Sequence, residues 1–231
     1  MKTKFIIAID GYSGAGKGTL AKMLANKLNI LYVDTGAMYR AFGLYFIKNN
    51  IEINYENVVR NIDKIDINLI FIENENKVYL NGEDVTSEIR KNEVSLVASK
   101  VAKISEVRKK LVLMQQKYGE NYSLVMEGRD ITTVVFKNAD LKIMLTADVN
   151  IRAERRKKQL EEKGQIVELQ KIIDELNERD IQDTTRLDSP LKMTEETILM
   201  DSTNMNLEEE INFILDLLRK RDIIWIKFLL V

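Results

Sequence analysis

Five short apolar runs, Phe5 to Ile9, Leu31 to Val33, Leu124 to Met126, Leu141 to Leu145 and Ile198 to Met200, punctuate the chain, and stretches of helical periodicity separate most of them. Runs this short predict strands, and their alternation with helices predicts a parallel sheet covered on both faces. One stretch departs from this order. Ile67, Leu69 and Phe71, then Val78 and Leu80, alternate with polar residues across the turn-like Glu73-Asn74-Glu75-Asn76, and Asn81-Gly82 follows. Period-two alternation of this kind predicts a small antiparallel insert, flanked by helical patterns over Asn57 to Ile65 and Asn92 to Tyr118. It reads either as a flap over the sheet edge or as a purely structural meander. With one proline, Pro190, and no Ser/Gly-rich linker, nothing marks a boundary between independent domains, so the chain reads as one core with inserts.

Ile223 to Val231 is strongly apolar but nine residues long, against the roughly 20 needed to cross a bilayer. It reads as a strand or helix end packed on the core, as a partner-binding segment or as an appended non-native sequence. Met1 leads straight into the first strand without a charged-then-apolar leader, so a cytoplasmic protein with no membrane partner is expected.

Composition narrows the chemistry. A chain of 231 residues with 45% apolar side chains can bury one sizeable core. Thirty-five basic against thirty-six acidic residues leave a net charge of -1, which removes the broad electrostatic argument for nucleic-acid binding, so any anion site must be local. The chain has no cysteine and no histidine. Disulfides, thiol chemistry, the commonest general base and the commonest transition-metal ligand are therefore excluded, leaving Arg, Lys, Asp and backbone.

Directly after the first apolar run, Gly11 to Thr19 read GYSGAGKGT, and a helical stretch follows from Leu20. The pattern places Gly11, Tyr12, Ser13, Gly14, Ala15, Gly16, Lys17, Gly18 and Thr19 in a phosphate-binding loop. Glycines at 11, 14, 16 and 18 are expected to free the backbone so that its N–H groups turn inward on one anion, with the positive end of the next helix behind them. Lys17 brings a point charge to the outer phosphates, and Thr19 or Ser13 offers a hydroxyl to magnesium or phosphate. A nucleoside triphosphate is the expected ligand. Position 18 is Gly where many such loops carry Ser or Thr, a variant that looks like the small-molecule and nucleoside monophosphate kinases.

Arginines and carboxylates gather where the later strands end. Asp34-Thr35-Gly36 opens a helix carrying Tyr39 and Arg40, a second potential anion site, although Thr35 reads equally as an ordinary N-cap. Glu127-Gly128-Arg129-Asp130 follows the third core strand. Arg152, Arg155 and Arg156 lie three and four apart on one helical face, where like charges repel unless an anion visits or the face is simply solvated. Arg179, Asp183 and Arg186 recur at spacings of four and three, opposite an apolar stripe of Leu169, Ile172, Ile173 and Leu176.

From about Phe5 to Leu218 the chain resembles the bacterial cytidylate kinases, through IDGYSGAGKGT, YVDTGAMYRA, EGRDITTVVF, ERDIQDTTR and LMDST in that order. The resemblance implies an α/β fold, a P-loop NTPase-type parallel sheet flanked by helices. It also implies a small antiparallel β insert serving as monophosphate-binding subdomain and a short helical lid. One domain over 1–231 is then expected: core 1–60, 93–147 and 187–222, insert about 61–92, lid about 148–186 and tail 223–231. The implied activity is transfer of a phosphoryl group from ATP, with magnesium held through Thr19, onto CMP or dCMP by a monomer. Arg40, Arg129 and Arg186 would grip the acceptor phosphate beside Thr35 and Tyr39. Arg179 and Asp183 would read the ribose, and Asp130 with Arg108 and Ser99 the cytosine. Lys17, Arg129, Arg152, Arg155, Arg156 and Arg186 would carry catalysis. Tyr12 departs from the family's usual proline and Glu127 from its usual aspartate, which leaves the geometry of Glu127 toward magnesium open. A kinase for UMP or AMP and a non-enzymatic ATP sensor are the competing readings.

Overall fold

A computed structural model describes residues 4–72, 75–162 and 164–224. In chain order the regular elements are β1 (Ile6–Gly11), α1 (Lys17–Leu28), β2 (Leu31–Asp34), α2 (Thr35–Lys48), α3 (Tyr55–Asn61), β3 (Ile67–Ile72), β4 (Glu75–Leu80) and β5 (Glu83–Asp84). They continue with α4 (Asn92–Val101), α5 (Ser105–Asn121), β6 (Leu124–Gly128), β7 (Leu141–Thr146), α6 (Val149–Glu161), α7 (Leu169–Thr185), β8 (Ile198–Asp201) and α8 (Leu207–Lys220). The chain divides after Ile30 and again after Tyr122 into two compact units.

In the unit built from the two ends of the chain, β6, β1, β7 and β8 lie side by side, all parallel. Ile7, Ala8 and Ile9 of β1 are fully buried, as are Leu124 to Met126 of β6 and Ile143 and Leu145 of β7. Residues buried on both faces of a sheet cannot alternate with polar ones, which is why these strands read as continuous apolar runs. Register sets Asp10 of β1 opposite Gly128 of β6 and Gly11 opposite Leu145 of β7. The loop after β1 and the turn after β6 therefore leave from adjacent carboxyl ends, where ligands of parallel sheets bind.

Two further helices of this unit, α6 and α7, pack on each other through Ala153, Ile172 and Leu176, with Val149, Leu160, Leu169 and Ile173 around them. The apolar stripe expected on the second of them is thus the one that anchors it. α8 buries Ile211, Ile214, Leu215 and Leu218, and Asn206 closes its N-terminus in a reciprocal cap with Glu209. Ile223 and Ile224 are buried behind it, and the rest of the apolar tail, Trp225 to Val231, lies outside the described residues.

The other unit holds the antiparallel sheet β3-β4-β5, with Ile67 opposite Leu80 and Leu69 opposite Val78. These four side chains are buried, so the period-two pattern marks the inward face. The turn residues Glu73 and Asn74 lie outside the described residues. The helical pattern from Asn92 to Tyr118 resolves into two helices rather than one. Ile104 takes an extended conformation (φ −91°, ψ 118°), and Arg108 Nη1 donates to the Ala102 carbonyl at the end of α4 at 3.3 Å. Gly43 lets α2 approach α4, since a Cβ there would come within 2.7 Å of a Val97 methyl.

The Asn206 cap satisfies backbone donors that would otherwise have no partner within the helix. Asn206→Ala should lower unfolding free energy by about 1 kcal/mol, read as a shifted urea midpoint with unchanged slope.

Candidate active site

The loop after β1 is shaped by a close backbone approach and a helix end. A Cβ on Gly11 would run into the Leu145 carbonyl of the neighbouring strand, so only glycine fits. Gly16 (φ 95°) takes the left-handed turn into α1, whose N-terminus carries no side-chain cap and no acidic residue in its first turn. Its positive end is thus left for an anion. Gly18, expected to share the special backbone role, is an ordinary residue of the first turn of α1, because the chain is already helical from Lys17. Thr19 is exposed on that turn.

Lys17 is buried, and its Nζ donates to the Tyr12 carbonyl at 2.8 Å. Burial, together with the positive charge of Arg129, pushes this ammonium down to about 7. The outer wall of the loop is tied to the helical pair. Ser13 N donates to Asp180 Oδ1 at 3.3 Å, and Arg152 Nη1 donates to the Ser13 carbonyl at 2.9 Å and to Asp180 Oδ2 at 2.7 Å. The Arg152 guanidinium lies 5.4 Å above the Tyr12 ring. Ala15 is fully buried beneath the loop and Gly14 is exposed.

The turn after β6 brings a second group of charges into the same unit. Arg129 Nε donates to Asp183 Oδ2 at 2.6 Å. Arg186 lies just past the end of α7, not on its face, and its Nε donates to the Ser189 carbonyl at 2.7 Å. Its other nitrogens face Asp130 at 4.0 Å and Asp183 at 3.9 Å. Burial works against the charge on Arg129, but Asp183 together with Glu127 and Asp10 outweighs it and holds the guanidinium above its usual range. Burial likewise works against the Asp183 carboxylate, and Arg129 together with Arg179 and Arg186 outweighs it, holding Asp183 below the usual range. Arg179 is exposed, and its charge acts on both Lys17 and Asp183.

The arginines expected to share one face of α6 occupy three environments. Arg152 is buried, Arg155 bonds the Ser202 hydroxyl at 3.1 Å and the Ser202 carbonyl at 2.8 Å, and Arg156 is exposed. In the other unit Asp34, rather than Thr35, caps α2: its Oδ1 accepts from Ala37 N at 2.9 Å, which places Thr35 inside the helix. Arg40 Nη2 donates to Asp34 Oδ2 at 2.9 Å. The Arg108 guanidinium lies 5.8 Å from the Tyr39 ring centre, and the Ser99 hydroxyl bonds back to the Ser95 carbonyl at 3.4 Å.

The profile of the cytidylate kinase family matches residues 7–220. The chain belongs to the cytidylate kinases. A cytidylate kinase of Caldicellulosiruptor saccharolyticus is 46% identical over 218 residues, covering 94% of this chain and 96% of that one. Another, of Cytophaga hutchinsonii, is 45% identical over 219 residues, covering 93% of each. A solved structure of an uncharacterized protein from Eubacterium ventriosum superposes with a TM-score of 0.50 at 13% identity, covering 94% of this chain and 99% of that one, a likeness of fold alone.

Two residues of this cytidylate kinase's site were not singled out from the sequence. Asp180 holds the outer wall of the loop, and it lies in the ERDIQDTTR stretch one position from Arg179. Asp10 is fully buried directly before Gly11, and it accepts from Ile131 N at 2.9 Å, Thr132 N at 2.8 Å and the Thr132 hydroxyl at 2.6 Å. A charged residue ending an apolar strand was the available signal.

Burial pushes the Asp10 carboxyl up to about 6, although its bonds to Thr132 and Ile131 pull the other way. Between the unfolded value of about 3.9 and that value the folded state binds the proton more tightly, so charging Asp10 costs stability as pH rises through the window. The unfolding free energy of the wild type relative to Asp10→Asn should therefore fall between pH 4 and about 6 and level off above. Urea titrations across that range read it; a flat difference would mean that Asp10 does not titrate there.

Proposed function

We propose that this cytidylate kinase transfers the γ-phosphoryl group of ATP to CMP and dCMP, giving CDP and dCDP. The observation that carries the reading is the convergence in one unit of Lys17, at the open end of α1, with Arg129, Arg179 and Arg186 around Glu127, Asp130 and Asp183. That is more cationic machinery than one nucleotide triphosphate requires, and it suits two phosphates brought together.

The chemistry asks little of acid–base groups. A phosphate monoester already presents an ionised oxygen near neutral pH, so the absence of histidine is no obstacle, and catalysis rests on position and charge. The backbone cradle at Gly11 to Gly16, the uncapped end of α1 and the Lys17 cation fit a donor's phosphate chain. An anion there opposes the effects that depress Lys17 and favours its charged form. Magnesium, reached through the Thr19 hydroxyl, would neutralise donor phosphate oxygens. Arg40, Arg129 and Arg186 are assigned to the acceptor phosphate, with Thr35 and Tyr39, and Arg179 and Asp183 to the ribose. Asp130 supplies an acceptor for the cytosine amino group, with Arg108 and Ser99 as donors. Arg155 and Arg156 are assigned to the transferring phosphoryl group, and Arg152 reaches it only by leaving Asp180 and Ser13. In this reading residues 61–92 are the monophosphate-binding insert and 148–186 the lid, and the protein works as a cytoplasmic monomer.

ADP release with ATP and magnesium, scanned across CMP, dCMP, UMP, AMP and GMP with a no-acceptor control, tests the reading. Turnover confined to the cytidine nucleotides is expected; preference for UMP or AMP would reassign Ser99, Arg108 and Asp130, and silence with every acceptor would favour an ATP sensor. Lys17→Ala should fold and lose at least about a hundredfold in kcat. Near-normal turnover of that variant would remove Lys17 from the phosphate role.

A further inference from the structure

We infer that Asp10 is a positioning residue for phosphoryl transfer, holding the Arg129–Asp130 turn in fixed register with the root of the phosphate loop; the inference rests on the kinase reading above. The two features it joins are adjacent in the sheet but separate in sequence. Asp10 is the last residue but one of β1, opposite Gly128, and Gly11, which ends the strand, leads into the loop that runs to Lys17 at the start of α1. Gly128 ends β6, and Arg129 and Asp130 follow it directly.

After Asp130 the chain enters a single π-helical turn, Ile131–Val135. This geometry is rare and is frequently found at functional sites. The N–H groups that open such a turn have no partner within it. Asp10 supplies one: Oδ1 takes the Ile131 N–H, and Oδ2 takes both the Thr132 N–H and the Thr132 hydroxyl. On the other side, the Asp130 carbonyl accepts from Val134 N at 2.8 Å and Val135 N at 3.2 Å. The backbone of Asp130 is therefore pinned through its own carbonyl and through the two residues that follow it. Its side chain faces Arg186, while its neighbour Arg129 is bonded to Asp183.

A fully buried carboxylate is a costly way to fill a core position, and an apolar residue would fill it without that cost. What an apolar residue would not do is hold two backbone amides with one rigid fork. In a reaction that depends on in-line placement of donor and acceptor, displacement by about 1 Å costs on the order of a hundredfold. Asp10 is placed to prevent a displacement of that kind.

The test compares Asp10→Asn, Thr132→Val and Thr132→Ser in the full chain. Asp10→Asn keeps the shape but turns an amide NH₂ toward a backbone N–H. We expect kcat/KM for CMP to fall about 30- to 100-fold with a narrowed preference for CMP over UMP. The dissociation constant of a fluorescent ATP analogue, measured without acceptor, should stay within about threefold. Thr132→Val should lose part of the activity and Thr132→Ser regain most of it. Hydrogen exchange at the Ile131 and Thr132 amides should be slow in the wild type and at least about tenfold faster in Asp10→Asn. The inference is overturned by unchanged amide exchange, by CMP kinetics within threefold of wild type, or by an equal loss of ATP affinity and CMP turnover. If Asp10→Asn does not fold, the Thr132 pair and wild-type exchange decide. A wild type that phosphorylates no monophosphate defeats the functional reading instead, and the exchange experiment still judges the hold of Asp10 on the turn.

Discussion

Buried Lys17 lies under the positive charge of half-buried Arg129 and exposed Arg179, and its burial with their repulsion draws the lysine down to about 7. A cluster of this kind persists in a folded protein only when carboxylates offset it. Asp183 and Glu127 do so here, both acting on Lys17 and on Arg129. The result is a site in which cations and carboxylates are packed together and Lys17 is under repulsion from Arg129 and Arg179. Low local polarisability makes such attraction larger than it would be in water.

Charge without placement would bind anions but transfer nothing. Placement comes from the sheet, whose parallel register sets the ends of β1 and β6 side by side. Everything that follows those ends inherits their spacing: the loop with its glycine at the Leu145 carbonyl, and the turn with Arg129 and Asp130. Asp10 joins the two where the ends of β1 and β6 lie side by side, and Asp180 with Arg152 fixes the outer wall of the loop from α6 and α7. The packing of Ala153 against Ile172 and Leu176 keeps those helices together, so apolar burial supports a polar latch.

The same cations have different degrees of commitment. Arg129 and Asp183 form a short half-buried pair, while Arg186 stands 3.9 to 4.0 Å from two carboxylates and is bonded through Nε to a backbone carbonyl. Arg156 is exposed, whereas Arg152 is held by Asp180, Ser13 and Ala147. Residues of one type at helical spacing thus divide into groups that shape the loop and groups that remain accessible to a ligand.

Sequence alone determined the strands, because burial on both faces imposes unbroken apolar runs such as Phe5 to Ile9. It determined the antiparallel insert, because one buried face imposes alternation at Ile67, Leu69, Val78 and Leu80. The phosphate loop was equally legible, since glycine spacing and a following lysine reflect local backbone requirements. Arg129 and Asp130 were legible as charges at a strand end and Asp183 as one residue of a helical face, but their pairing was not, and Arg186, expected on that face, lies just past the end of α7. That Arg152 is buried depended on residues far apart in the chain, Ser13 and Asp180, whereas which of Asp34 and Thr35 caps α2, where the helix from Asn92 breaks and that Gly18 is merely helical are local backbone choices that residue types alone leave open. Asp10 makes the point most sharply. In sequence it is an acidic residue beside a glycine, and only the sheet register, which brings Ile131 and Thr132 within hydrogen-bond reach across more than a hundred residues, decides what its carboxylate does.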